Sequence, residues 1–207
     1  MGKIKYLTDI MKLFEKSSVV NFDSIERIIK SKRGSSSYAK QIVYYLIKNG
    51  KIKKLAKGVY TNRNDVNLSV FCFEPAYLGL QDALSFHNIW EQETVPIIIT
   101  TKKVRKGIRK ILGQNVLIRS IDKRYFFGFK HFQEKDIALP YSDIEKTLID
   151  MIYFKENIDK NVLDNFIEKI NKKKLISYLR KYPIKFRKSV IKKTMHHHAL
   201  KTSIRKN

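Results

Sequence analysis

Few side chains in this 207-residue chain are spaced for bond-making chemistry. Asp143, Glu145, Lys146 and Asp150 lie close together and have the acid-and-lysine content of a metal-dependent nuclease. Their segment reads as a helix, however, and the adjacent Glu145 and Lys146 then point to different faces. No Pro-Asp pair and no paired strand carboxylates accompany them. His196, His197 and His198 are consecutive, so on a helix they diverge and one ion cannot readily take all three. His87 and His131 stand singly near aromatic residues, as packing histidines do. Cys72, the single cysteine, sits in the apolar run Val70–Phe73 and reads as a buried structural thiol, with no intrachain disulfide possible. Lys102, Lys103, Arg105, Lys106, Arg109 and Lys110 surround Gly107 without the glycine spacing of a phosphate loop. They read as an exposed helix or loop that could touch nucleic acid. The expectation is therefore no catalytic group, no metal and no cofactor: the chain does not read as an enzyme.

Binding chemistry is concentrated between residues 33 and 57. Arg33, Ser35, Ser36, Ser37, Tyr38, Lys40, Gln41, Tyr44, Tyr45 and Lys48 are hydrogen-bonding or phosphate-binding types with no acid among them. Lys53, Lys54 and Lys57 follow closely. A glutamine can bond an adenine edge with both amide atoms, and lysines hold phosphates without reading sequence.

The elements that must position these residues follow from periodicity. Ala39, Ile42, Val43, Leu46 and Ile47 form one apolar helical stripe, with the polar residues opposite. The serines before it can cap the first turn, and Gly50 can end the helix in a left-handed conformation. Such a helix of about 15 residues is roughly 22 Å long and suits a major groove about 12 Å wide. Residues 51–55 and 58–61 read as two short strands around Ala56-Lys57-Gly58, with Lys53, Lys54 and Lys57 projecting toward phosphate. Upstream, Phe22, Ile25, Ile28 and Ile29 form another stripe, and Asp23 with Glu26 resembles a capping box. Ser31–Gly34 is the turn between the two helices. A first helix over about Tyr6–Lys16 turns Leu7, Ile10, Met11 and Phe14 inward. This order is a winged helix-turn-helix, whose second helix docks in the major groove.

The charge supports a polyanion partner. Residues 1–63 hold 15 basic and 4 acidic side chains, residues 64–154 hold 12 and 11, and residues 155–207 hold 16 and 4. A net charge of +24 is thus carried by two basic ends around a neutral middle. The polar stretch 63–69 marks a boundary. The expected fold class is α+β: a winged helix-turn-helix over 1–63, a mixed α/β domain over 64–154, and a basic helical extension over 155–207. In the middle, residues 75–90 read as a helix opened by Pro75, with Leu80, Ala83, Leu84 and His87 on one side. Residues 96–101, 115–121 and 124–131 read as strands, mostly antiparallel, with Gly128 at a bend or close approach. Residues 142–155 read as a helix capped by Ser142 and Glu145, with the stripe Ile144, Leu148, Ile149 and Ile152. Residues 160–171, 174–182 and 185–199 read as tail helices. No signal-peptide pattern or membrane-length apolar run is present, and Met1-Gly2 lacks Ser or Thr at position 6, which argues against myristoylation. The expectation is a cytoplasmic protein with no membrane partner.

Three stretches together resemble the AbiEi-type antitoxins of abortive-infection systems, over about residues 8–154. The first is the helix and wing ending in Leu46–Tyr60. The second is Pro75–Trp90 with the following Ile-Ile-Ile-Thr-Thr strand. The third is Phe127-Gly128 and Ile137-Ala138 leading to Ile144-Glu145-Lys146-Thr147-Leu148-Ile149-Asp150, which looks like the family's Pro-Glu-Lys-Ala-Leu-Leu-Asp. Ile144 replaces the proline, and Pro140-Tyr-Ser-Asp is inserted before it. The resemblance implies a DNA-binding antitoxin that represses its own promoter at repeated or palindromic sites. It also implies a neighbouring nucleotidyltransferase-like toxin that is counteracted without a stable complex. A monomer or weak dimer suits such sites. Two other classes fit parts of the pattern. One is an RNA-binding protein or nuclease acting on structured RNA, supported mainly by the basic tail. The other is a winged-helix protein-interaction module.

Overall fold

A computed structural model describes residues 6–134 and 137–204, with side chains described as far as Thr194 except Glu134. The protein is α+β, with eight helices and two sheets among the described residues, and it divides into two compact units. The first takes the described residues up to Phe73 together with Arg109–Val116, and the second takes Glu74–Ile108 and the described residues from Leu117 on.

In the first unit the order is α1 (Leu7–Lys16), β1 (Val20–Asn21), α2 (Phe22–Ser31), α3 (Ser36–Lys48), β2 (Lys53–Ala56) and β3 (Val59–Thr61). β3 lies between β1 and β2, antiparallel to both. The three helices and the small sheet close over one core of Ile10, Phe14, Val20, Ile25, Ile29, Ala39, Ile42, Val43, Leu46, Ile52 and Tyr60. The expected stripes are the buried faces, with one exception. Ile47 is 38% exposed, because it lies at the margin of the α3 stripe rather than on it. α3 ends as its glycine predicts. Gly50 has φ +66°, its N–H donates to the Ile47 carbonyl at 3.0 Å, and Lys51 N–H donates to the Leu46 carbonyl at 2.9 Å.

The expected capping box at Asp23 is not formed. α2 starts two residues earlier, Asn21 is its cap residue, and that side chain makes no capping bond. Glu26 instead accepts from the Ser36 hydroxyl and pairs with Lys30 at 3.1 Å, since two donors outcompete one backbone N–H. A 3-10 helix, Val66–Phe73, completes the first unit. Residues 64–73 therefore group with the N-terminal elements, their apolar side chains Val66, Leu68, Val70 and Phe73 being buried.

The second sheet has the order β6-β7-β5-β4-β9-β8, built from β4 (Ala76–Leu78), β5 (Ile97–Thr100), β6 (Gly107–Ile111), β7 (Gln114–Ser120), β8 (Phe129–Glu134) and β9 (Ile137–Ser142). It is mixed rather than mostly antiparallel: β4 pairs with β9 and β5 with β7 in parallel, while β4–β5 and β8–β9 are antiparallel. Pro75 does not open a helix. It follows a cis peptide bond, β4 starts at Ala76, and the helix α4 covers only Gln81–Phe86. The apolar run Ala76–Leu78 is buried on both faces, the pattern of a central strand, which helical periodicity cannot separate from a helix edge. The aromatic segment 124–131 divides into a 3-10 turn, Lys123–Tyr125, and the start of β8. The basic segment 102–110 ends in β6.

α5 (Ile144–Tyr153) runs through the interior, with every residue from Glu145 to Met151 buried. Its cap is Asp143, which accepts from Lys146 N–H at 2.9 Å; Ser142 is the last residue of β9. α6 (Lys160–Lys169), α7 (Lys172–Leu179) and α8 (Ile184–Ile204) follow the expected tail helices closely. They are not an appendage. Val162, Phe166, Leu175, Leu179, Tyr182 and Val190 share one core with Tyr77, Ile97, Ile99, Leu148 and Ile149.

Candidate nucleic-acid interface

α3 presents one continuous exposed face. At about 100° per residue, Ser37, Gln41, Tyr44 and Lys48 fall within about 30° of a common direction, opposite the buried Ala39, Ile42, Val43 and Leu46. All four are exposed, and Tyr44 at 67% is the most open large side chain on the helix. Lys40 and Ile47 border this row on one side. Arg33, in the α2–α3 turn with φ +63°, and Ser35 are exposed as well.

Other expected contact residues are partly consumed by the fold. The Ser35 hydroxyl oxygen accepts from Tyr38 N–H at 3.1 Å and so caps α3. Half-buried Ser36 donates its hydroxyl to Glu26. Tyr38 and Tyr45 are half-buried against the core, and Tyr38 meets the ring of Tyr6 edge-on at 6.2 Å. These two tyrosines share one flank of α3, away from the flank on which Ser36 meets Glu26 of α2. In the hairpin, Lys54 and Lys57 are exposed, whereas half-buried Lys53 donates to Asn64 Oδ1 at 2.6 Å. Exposed Lys51, between helix and hairpin, adds a charge that the lysine run had already signalled.

The electrostatics are segregated. From Ser35 to Thr61 there are six lysines and no acidic residue. Four of the five acids of this unit lie on α1 and α2, where Asp9 pairs with Lys32 and Glu26 with Lys30; the fifth, Asp65, follows the hairpin. Those partners hold the Asp9 and Glu26 carboxyls below the usual carboxylate range, the Lys32 hydrogen bond leading for Asp9 and the Ser36 bond for Glu26. Glu26 thus reaches one edge of α3, at Ser36 and Lys40, whereas among the described residues no carboxylate pairs with Lys48, Lys51, Lys54 or Lys57.

The acid-and-lysine group on α5 is arranged differently. Lys146 and Asp150 form an ion pair, both fully buried, and Tyr77 donates its hydroxyl to Asp150 Oδ2 at 2.7 Å. Lys146 Nζ also lies 3.3 Å from the Tyr182 hydroxyl, between the rings of Tyr77 and Phe127. Burial pushes Asp150 up and Lys146 down, while each holds the other charged. Glu145 and Asp143 face Lys174, at 2.8 and 3.0 Å, and Tyr178 donates to Asp143 at 2.8 Å. Gly128 makes this packing possible: a Cβ there would stand 2.9 Å from both Lys146 Cβ and the Tyr178 ring. The carboxylates that suggested a nuclease are therefore tied to lysines and tyrosines of their own unit. His87 directs Nε2 at the Ser142 carbonyl, 2.6 Å away, and its burial lowers its basicity. His131 is an exposed residue of β8 and Cys72 is half-buried. The side chains of His196, His197 and His198 lie outside the described residues. Among the described residues, no group of three or more His, Cys, Asp or Glu side chains is placed to hold a metal ion, and no helix is long and apolar enough to cross a membrane.

No protein-family model matches the chain, and no curated protein matches it.

Proposed function

We propose that the protein is a sequence-specific DNA-binding regulator that reads the major groove with α3. The observation that carries this reading is the exposed row Ser37, Gln41, Tyr44 and Lys48 on a helix that belongs to a run, Ser35 to Thr61, with six lysines and no acid. The order α1-β1-α2-α3-β2-β3 supports a winged helix-turn-helix, with β2–β3 as the wing. α3 has 13 residues and is about 20 Å long, enough to lie along a groove about 12 Å wide. Gln41 bonds an adenine edge, Tyr44 and Ser37 contact neighbouring base edges, and Lys48 with Lys40, Lys54, Lys57 and Arg33 holds phosphates. Five neutralised phosphates give a slope of log K against log salt of about −4.5.

The three stretches shared with AbiEi-type antitoxins extend the proposal: the DNA is the chain's own promoter, and the second unit acts against a nucleotidyltransferase-like toxin without binding it stably. Fluorescence anisotropy on the upstream region and on a shuffled duplex tests the DNA reading. Tighter binding to the upstream duplex is expected, and equal affinity for both rules out sequence-specific regulation. Co-expression with the neighbouring reading frame tests the antitoxin part separately.

A further inference from the structure

We infer that the second unit carries its own contact surface for the backbone of duplex DNA, built from α7 and α8. From Lys169 to Thr194 the chain has eleven basic residues and no acidic one. On α8, Phe186, Val190 and Thr194 turn toward the core or its margin, and Lys185, Lys188 and Lys192 form a row on the opposite side. All three lysines are exposed, as are Lys172, Lys173, Arg180 and Lys181.

The lysines fall into two groups. Lys174 is consumed by Asp143 and Glu145, and Lys169 donates to the carbonyls of His87 and Asn88. By contrast, among the described residues none of Lys172, Lys173, Lys185, Lys188 and Lys192 pairs with a carboxylate. Like charges at helical i, i+3 and i, i+4 spacing oppose folding, so such a row is kept where a polyanion relieves it. The surface is also held in place. Arg187 ties the α7–α8 turn by donating to the Arg180 and Tyr182 carbonyls at 2.7 and 2.6 Å.

The chemistry favours a duplex over a single strand. Single strands are held by exposed aromatic rings on which bases stack. Here Tyr182 is buried and stacked on Tyr125 at 4.3 Å, while Tyr178 and Phe186 are half-buried in the core. Lysines without stacking rings hold phosphates and carry no sequence preference. The inference rests on the reading above only for the choice of DNA as the polyanion. Its residues are separate from the α3 row and lie beyond the stretches shared with AbiEi-type antitoxins.

The test uses the full chain carrying Lys185→Gln, Lys188→Gln and Lys192→Gln, with Lys→Arg at the same three positions as the charge-conserving control. Binding to a random duplex of about 30 base pairs is followed against salt, where each lost phosphate contact lowers the slope by about 0.9. The Gln variant should lose about 2–3 units of slope with a thermal midpoint at or above that of the wild type, the Arg variant should lose none, and both should keep the preference for the upstream region. An unchanged slope in the Gln variant overturns the inference. So does a loss confined to duplex RNA, or to vesicles of anionic lipid, at intact DNA binding. If the wild type shows no preference for any DNA sequence, the promoter reading fails while the slope loss on random duplex still stands, so the two failures are distinguishable.

Discussion

α3 and α5 are both helices rich in polar residues, and they use them in opposite ways. α3 buries Ala39, Ile42, Val43 and Leu46 and leaves Ser37, Gln41, Tyr44 and Lys48 in solvent. α5 buries Glu145, Lys146 and Asp150 with its apolar residues, and each finds its partner inside the second unit. Polar side chains on α3 are available to a ligand. Those on α5 are already satisfied, and their removal should be felt as lost stability. The same residue types are therefore open to solvent in one place and satisfied within the fold in the other, and partner geometry decides which.

The largest expected effect breaks the α5 side. Asp150→Ala leaves Lys146 charged and unpaired in the core, at a cost of about 3–5 kcal/mol. Replacing the pair by Lys146→Met with Asp150→Leu should recover most of that loss. Urea midpoints measure both, and a single-variant cost under about 1 kcal/mol contradicts the architectural role. On the α3 side, Gln41→Ala should reduce upstream-duplex affinity by about 1–3 kcal/mol while random-duplex affinity stays near wild type. Equal losses on the two duplexes remove Gln41 from base reading. Ser35→Ala tests the residue at which the two uses meet, because its oxygen is the α3 cap. A stability loss of about 0.5–2 kcal/mol is expected, with affinity per folded molecule little changed.

Two smaller effects sharpen the contrast. Lys54→Gln with Lys57→Gln should lower the salt slope by about 2 and weaken specific and random binding alike; a change in preference places a hairpin lysine on a base. The last is pH dependence in the second unit. Burial raises Glu145, but Lys174 and the Asn171 N–H outweigh it and hold the carboxyl below its ordinary range. A lowered folded-state pKa stabilises above the unfolded value, about 4.3 for Glu, and that stability is lost as pH falls through the folded value. Denaturation midpoints measured from about pH 6 to about pH 3 should fall less steeply in Lys174→Met. Superimposable profiles contradict the pairing.

Where one face of an element is wet and the other dry, the sequence was readable. The stripes of α1, α2, α3 and the tail helices α6 and α7 all carry that signal. It weakened where both faces are dry. Ala76–Leu78 and α5 bury nearly everything, so Pro75–Trp90 resembled one long helix and gave no warning of a cis bond followed by a strand. β9 went unrecognised, with Pro140 in its midst, and the parallel pairs of the sheet leave no local trace. Caps shifted by two residues at Asn21 and by one at Asp143, since several nearby polar residues can each fill that role. At the candidate interface the residue types were legible, but Tyr38, Tyr45 and Ser36 were not separable from Tyr44 and Ser37 until their neighbours were known.

By itself the amino-acid sequence determined the charge at the two ends, the absence of acid from Ser35 to Thr61, and the periodicity that makes α3 a helix with one polar side. These are properties of composition and short-range spacing, and they hold however the rest of the chain packs. Only the tertiary structure decided which polar groups remain free. Burial fixes Lys146 on Asp150 within α5, and the close approach of separate elements fixes Lys174 on Glu145 and Ser36 on Glu26. A buried charge must find its partner within the fold, whereas an exposed one can wait for a ligand.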